Sequence, residues 1–284
     1  MNSIDLLKSL ENPELNNPIC LSPNFEKDID KQIDDIAQTN DDEAKQLWIC
    51  KTIAGIQKNF ISAFQNIKTE DYYEGWCLFE RCEIDLKFLL RHFTIEENDL
   101  HRINFINAMV VRWQKLYPYK FFGSPEFLVK KVTCGICGER ITPRSNCGHL
   151  IGEIYAGKCC FELVEELEFL GLGIVEKPVQ KYSVLFSTDP ITNENIDHYD
   201  YSTVKFVADR LNSAFHEWDS YATTRVISAT ELVNLPLEKP CPCVSGKNYG
   251  ACCAGKSNLT IPHLQICLSQ PPKGNFPENE LFLL

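Results

Sequence analysis

The sequence predicts an α+β protein: a helical amino-terminal bundle, then a smaller α+β domain, then a short carboxyl-terminal knuckle. Three observations predict it. Apolar residues recur every three or four positions through most of residues 25–117. The pattern changes at Pro118 and Gly123-Ser-Pro125 to short branched runs. Cysteines gather in two groups, at 134–160 and 241–253. The expected divisions are a flexible leader at 1–24, a helical domain at 25–120, a cysteine-organised α+β domain at 121–235, a knuckle with a following strand at 236–270, and a tail at 271–284.

Residues 1–24 are rich in Asn, Pro and Ser and show no steady period, hence the leader. From Phe25 the chain becomes acidic and helical. Between Asp41 and Ile67 the positions Leu47, Ile53, Ile56, Phe60, Phe64 and Ile67 form an apolar stripe. A second stripe, Tyr72, Trp76, Phe79, Cys82, Leu86, Leu89 and Phe93, predicts a helix from about Glu70 to Phe93. Its aromatic residues are expected in the core rather than around a ligand. Thr94 and Glu97 have capping-box spacing, which predicts a third helix from about Ile95 to Tyr117. His92 and His101 stand near that junction without metal-ligand spacing and are read as structural or surface residues.

Phe127 to Thr133 has the branching of a strand leading into Cys134. After Cys160, a short helix is expected at 161–169, strands at 171–176 and 181–187 around Pro178, and a helix from about Thr203 to Tyr221. His198, His216 and His263 are isolated and read as surface or satisfied histidines. The tail ends in Leu281-Phe-Leu-Leu284, a segment suited to docking on the body or on a partner.

The stretch from Cys134 to Cys160 is the pivot of the chain. Cys134-Gly-Ile-Cys137 places two thiols on one side of a tight turn, and Cys147-Gly-His149 follows after nine residues. Two such halves make a tetrahedral site of sulfur and nitrogen donors, the coordination zinc takes. The expected ligands are Cys134, Cys137, His149 and Cys160, with Cys147 as the substitute and Cys159 as a small buried residue. A redox reading of Cys134 and Cys137 wants the first cysteine at a helix start, and Gly138-Glu-Arg-Ile-Thr-Pro143 is a poor helix opening.

Residues 240–253 read Pro-Cys-Pro-Cys-Val-Ser-Gly-Lys-Asn-Tyr-Gly-Ala-Cys-Cys. Cys241, Cys243, Cys252 and Cys253 supply four thiolates on a loop with little material for a core of its own. A closed four-thiolate shell leaves no open position for water, so this site is expected to be structural. Gly250 to Ser257 also matches the phosphate-loop pattern, but a phosphate loop needs a strand before it and a helix after it, and Asn-Leu-Thr-Ile-Pro262 follows.

Cys-Pro-Cys-x-Ser-Gly-Lys-x-Tyr-x-x-Cys-Cys resembles the SEC-C motif, the zinc knuckle at the carboxyl end of the SecA translocase motor. The resemblance covers residues 240–254. It implies zinc on the four cysteines and a small docking surface for another protein, a chaperone or the ribosome. Lys247 and Tyr249, between the ligand pairs, are the candidate partner contacts, with Tyr249 packing on the following strand, about Leu259 to Leu268, as the alternative. The chain departs from the motif at Val244, where glycine is common, and at Asn248, Gly250 and Ala251, where the motif is often more basic. The central stretch resembles zinc-ribbon segments of uncharacterised bacterial proteins, a pattern that favours Cys160 over Cys159.

A formal net charge of −11 over 284 residues opposes broad capture of nucleic acid or an anionic membrane. No apolar run is long enough to span a bilayer. The start lacks a signal-peptide pattern, which predicts a cytosolic protein, where 14 cysteines are more readily metal ligands than disulfides. Two bound zinc ions are expected. The motifs supply ligands and packing but no nucleophile beside a base, so the favoured function is a non-enzymatic adaptor. A thiol oxidoreductase or zinc hydrolase centred on Cys134–Cys160 is the competing class.

Overall fold

The computed structural model describes residues 2–14, 21–145, 147–232 and 234–272; the tail segment 281–284 and part of the leader lie outside them. A helical region is followed by a β-rich α+β region carrying both cysteine groups. The chain divides into two compact units, 1–205 and 206–284. Among the described residues no helix is long and apolar enough to cross a membrane.

In the first unit the leader is partly structured, which corrects the expectation for its first residues. Helix α1 (Ser3–Ser9) is capped by Asn2, whose side chain accepts from the Asp5 amide, and its Leu6 is buried, as is the following Leu10. Ser3 holds it in place, since its amide and hydroxyl both donate to the Glu43 carboxylate at 2.8 Å. Helix α2 (Phe25–Ile36) buries Phe25, Ile29 and Ile33, a single i, i+4, i+8 stripe.

Helix α3 (Asp41–Lys68) is the central pillar. Asn40 caps it by accepting from the Glu43 amide, and Leu47, Ile53, Ile56, Phe60 and Ile67 are fully or almost fully buried. Each such side chain contributes roughly 1.5–3 kcal/mol by leaving water. Buried Gln57 donates to the Leu10 and His101 carbonyls, tying the amino-terminal segment to a later loop. Helix α4 (Tyr72–Leu89) buries Trp76, Phe79, Cys82, Leu86 and Leu89, so the aromatic stripe is core.

Helix α5 (Ile103–Leu116) starts eight residues later than the Thr94–Glu97 spacing suggests. The Asp99 carboxylate accepts from the Ile103 and Phe105 amides and supplies the start signal instead. His92 and His101 are structural, with ring nitrogens 2.7 Å from the Gly152 carbonyl and 3.1 Å from the Leu7 carbonyl.

Strand β1 (Phe122–Cys134) opens the β-rich region. It pairs on one side with β2 (Arg140–Ile141) and on the other, over its whole length, with β5 (Glu162–Val175). Between them lies the hairpin of β3 (Ile154–Tyr155) and β4 (Lys158–Cys159). The helix expected at 161–169 is therefore a strand. Leu163, Leu167 and Leu170 have helical spacing, but pairing with β1 from Phe122↔Val175 to Cys134↔Glu162 overrides it.

Residues 181–186 are a loop rather than a strand. The β6 (Ser187–Thr188) and β7 (Asn195–Ile196) hairpin follows, and α6 (Ser202–Arg210) is half the expected helix. Residues 218–221, expected to be helical, instead begin strand β8 (Trp218–Ser228), which pairs throughout with β9 (Asn258–Leu268) in the second unit.

Candidate metal centres

The first centre lies where β1 hands the chain to β5. Cys134 ends β1, and the chain turns at once: the Gly138 amide donates to the Cys134 carbonyl at 2.8 Å and the Cys134 amide to the Glu139 carbonyl at 2.9 Å. The Ile136 amide reaches the Cys134 sulfur at 3.4 Å. Gly135 passes so close to β5 that an added Cβ would sit 2.9 Å from the Phe161 carbonyl oxygen, so only glycine fits without displacement. This turn aims Cys134 and Cys137 into a common space. Gly148, with φ of +84°, then brings Cys147 and His149 to the same space.

The sulfurs of Cys134, Cys137 and Cys147 and a ring nitrogen of His149 all lie within 4.8 Å of one another. His149 Nδ1 is 3.6 Å from Cys134 Sγ and 3.4 Å from Cys147 Sγ. Metal–sulfur bonds of about 2.3 Å and metal–nitrogen bonds of about 2.0 Å at tetrahedral angles put sulfur and nitrogen about 3.5 Å apart, so the donor set fits such an ion. The tetrad differs from the expected set in one member: Cys147 closes it. Cys160 is buried with its sulfur 4.0 Å from that of Cys134, outside the tetrad, and Cys159 is half-buried in β4.

The backbone amides of Cys137 and Ile136 hold the Cys134 thiol down at about 6, while burial pushes the Cys160 thiol up to about 11. The lowered Cys134 thiol favours the thiolate, the form a metal ligand takes. Yet Cys134 is only 1% exposed, which denies a bulky electrophile or disulfide access to it.

The helical region braces this centre. The Ala156 amide donates to the Asp41 carboxylate at 2.7 Å, and Arg91 donates to the Ile151 carbonyl and the Glu153 carboxylate. Gly157 has φ of +67° and packs so tightly that a Cβ would meet Ile33 at 2.4 Å. Sequence spacing does not reveal these supports, although the glycines at 135, 148 and 157 are the visible trace of tight turns.

The second centre closes the β8–β9 ribbon. Cys241 and Cys243 sit on a turn in which the Cys241 amide donates to the Lys247 carbonyl and the Val244 amide to the Cys241 carbonyl. A 3-10 turn, Tyr249–Ala251, then delivers Cys252 and Cys253, whose amides both donate to the Tyr249 carbonyl. All four sulfurs lie within 4.8 Å of one another. Cys243 is 3.3 Å from Cys241 and 3.6 Å from Cys252, and Cys252 is 3.7 Å from Cys253. A tetrahedral four-sulfur shell at about 2.3 Å has edges of about 3.8 Å, so this set also fits.

Ser245, whose hydroxyl role the spacing does not show, reaches Cys252 Sγ at 3.1 Å and is the main cause that draws the Cys243 thiol down to about 6. Burial pushes the Cys253 thiol up to about 12.

For Tyr249 the packing alternative holds and the docking one does not. It is buried in a small core with Ile227, Cys241, Cys253, Leu259 and Ile261, so it anchors the knuckle to the ribbon and is not presented to a partner. The knuckle accordingly shares its core with the ribbon, since Ile227 lies on β8 and Leu259 and Ile261 on β9. Lys247 is exposed. His216 is buried and satisfied: one ring nitrogen accepts from the Asn212 amide and the other is 3.1 Å from the Gln270 carbonyl. Residues 250–257 lead into β9 and not into a helix, so the phosphate-loop pattern has no phosphate-loop geometry.

Comparisons with protein-family models, with curated proteins and with solved structures find no match to this chain.

Proposed function

We propose that this chain is a zinc-binding, SEC-C-like protein that works as a non-enzymatic adaptor in the cytosol. It would hold one zinc ion on Cys134, Cys137, Cys147 and His149 and a second on Cys241, Cys243, Cys252 and Cys253. The observation that carries the reading is the pair of four-donor groups, each with donor-to-donor distances close to a tetrahedral zinc shell. Zinc supplies cross-linking here. Four protein donors leave no coordination position for water or substrate, which disfavours a hydrolase. The burial of Cys134 disfavours a thiol oxidoreductase, since its lowered thiol is shielded.

The chain's own residues prepare both sites. Backbone amides lower the Cys134 thiol and the Ser245 hydroxyl lowers the Cys243 thiol, which favours the thiolate form that a metal ligand takes. The remaining thiols give up protons as the ion binds, so affinity falls at acid pH. The SEC-C resemblance supports a docking role for the knuckle, with Lys247 as the exposed contact.

Metal analysis of the purified protein tests the reading and should return two zinc ions per chain. Native alkylation should be slow at the eight proposed ligands and become fast once a chelator is present. A folded protein without metal, or one cysteine of a tetrad modified rapidly in the zinc-loaded state, refutes it.

A further inference from the structure

The ribbon formed by β1 and β5 is two-faced. Its register sets Gly123 opposite Ile174, Pro125 opposite Leu172, Phe127 opposite Phe169 and Val129 opposite Leu167. Alternation along β1 puts these four pairs on one face. The shift between Glu126 and Phe127 leaves Leu170 as the extra residue on β5, which returns Leu172 and Ile174 to the face of Phe169. The rings of Phe127 and Phe169 confirm the assignment, lying 5.8 Å apart. The opposite face carries Glu126, Leu128 and Glu168, with Lys130 paired to Glu168 at 2.5 Å.

The apolar face is open to solvent: exposure runs from 42% at Phe127 to 68% at Ile174. Its six large side chains, Phe127, Val129, Leu167, Phe169, Leu172 and Ile174, expose on the order of 700 Å², more than the few hundred Å² a monomer usually shows in one patch.

We propose that this face is the interface of a homodimer, in which the ribbon of a second copy packs face to face on the first. Three features select a second copy. The area matches the roughly 800 Å² that each partner contributes to a stable interface. The face has no charged side chain among its four pairs, the composition of an obligate homodimer interface rather than of one that meets a charged partner. A two-fold axis through its centre sets apolar against apolar along these four pairs without any further complementarity.

Edge-to-edge pairing is the poorer arrangement. Pro125 lacks an amide, and register shifts at Glu126/Phe127, Val129/Lys131 and Lys131/Val132 break the regular edge that a third strand needs. The face-to-face contact uses no metal ligand, so the dimer stands or falls separately from the zinc reading.

Sedimentation equilibrium of the full chain at micromolar concentration tests the proposal, with zinc content and far-UV circular dichroism measured on the same samples. The wild type should sediment at twice the mass of one chain. Phe169→Glu with Leu172→Glu should sediment at the mass of one chain, a weakening of self-association by at least ~100-fold from two central apolar anchors. Leu128→Glu, on the opposite face, should remain dimeric. If the double variant loses its secondary structure, Ile174→Glu, at the most exposed position of the face, takes its place with the same expectation. A monomeric wild type overturns the proposal, and so does a dimer that survives the face variants or one that Leu128→Glu also abolishes. In every case zinc content reports the metal reading independently.

Discussion

Replacing Glu80 with alanine should lower the stability of the first unit by about 3 kcal/mol. Glu80 lies on α4, is buried, and its two carboxylate oxygens accept from the backbone amides of Lys181 and Tyr182. A hydrogen bond to a charged group contributes about 1.5–3 kcal/mol, which gives about 3–6 kcal/mol for the pair. Tyr182 is half exposed, so water can reach the vacated amides and the lower end applies.

The loop so held is the one that anchors the far end of the ribbon, because the Ser183 carbonyl accepts from Gly123 at 2.7 Å and Val184 bridges to Phe122. For a unit of this size the loss corresponds to a melting shift of about 6–12 °C. Urea denaturation followed by tryptophan fluorescence is the assay, since Trp76 Nε1 donates to the Lys181 carbonyl at 2.7 Å and reports on the same loop. Glu80→Gln, which retains one acceptor but turns an NH2 group toward the second amide, should fall between wild type and alanine. A loss below about 1 kcal/mol for the alanine variant would refute the reasoning, because two charge-assisted bonds cannot be removed that cheaply.

Further outcomes follow from the same structure. Cys147→Ser should leave one zinc ion per chain by elemental analysis, whereas Cys160→Ser should keep two; the reverse result would restore Cys160 to the ligand set. Val244 has φ of +57°, strained for a β-branched residue, so Val244→Gly should raise the stability of the second unit by about 1 kcal/mol and slow zinc loss to a chelator; an unchanged or faster loss argues against stored strain. Burial pushes the Asp85 carboxyl up to about 6 from its ordinary 3.8, with Arg81 opposing the shift. The native state therefore binds the extra proton between those values, and this group's stabilisation, complete below about pH 4, is lost as pH rises through about 6. Asp85→Asn should remove that slope and gain up to about 3 kcal/mol at pH 7, as read from urea midpoints at pH 4.5 and 7.

Local spacing accounts for what the sequence determined. Helix α3 ends within one residue of its apolar stripe, because packing selects side chains on one face of a 3.6-residue period. Cys-x-x-Cys and Cys-x-Cys place donors together by backbone geometry alone, so both cysteine groups were legible before any fold was known. His92, His101 and His216 have no ligand partners nearby in the sequence, which marks them as structural or satisfied, and the carbonyls they meet bear this out.

Long-range pairing decided the rest. Glu162 to Phe169 has helical spacing and helix-forming residues, yet it is a strand because β1, distant in sequence, offers it a partner from Cys134↔Glu162 to Phe127↔Phe169. The same holds for Trp218 to Tyr221, which becomes a strand once β9 is in place. Formation of that ribbon then buries Tyr249, which the knuckle sequence alone left open between packing on the following strand and facing a partner. The spacing favours Cys160 as the fourth ligand, with Cys147 as the substitute, and the structure reverses that order. The turn at Gly148 swings Cys147 into the tetrad, while β5 holds Cys160 beside Cys134 but outside the group. Spacing along the chain specifies which atoms can be neighbours within a few residues; only the tertiary structure specifies which distant ones are.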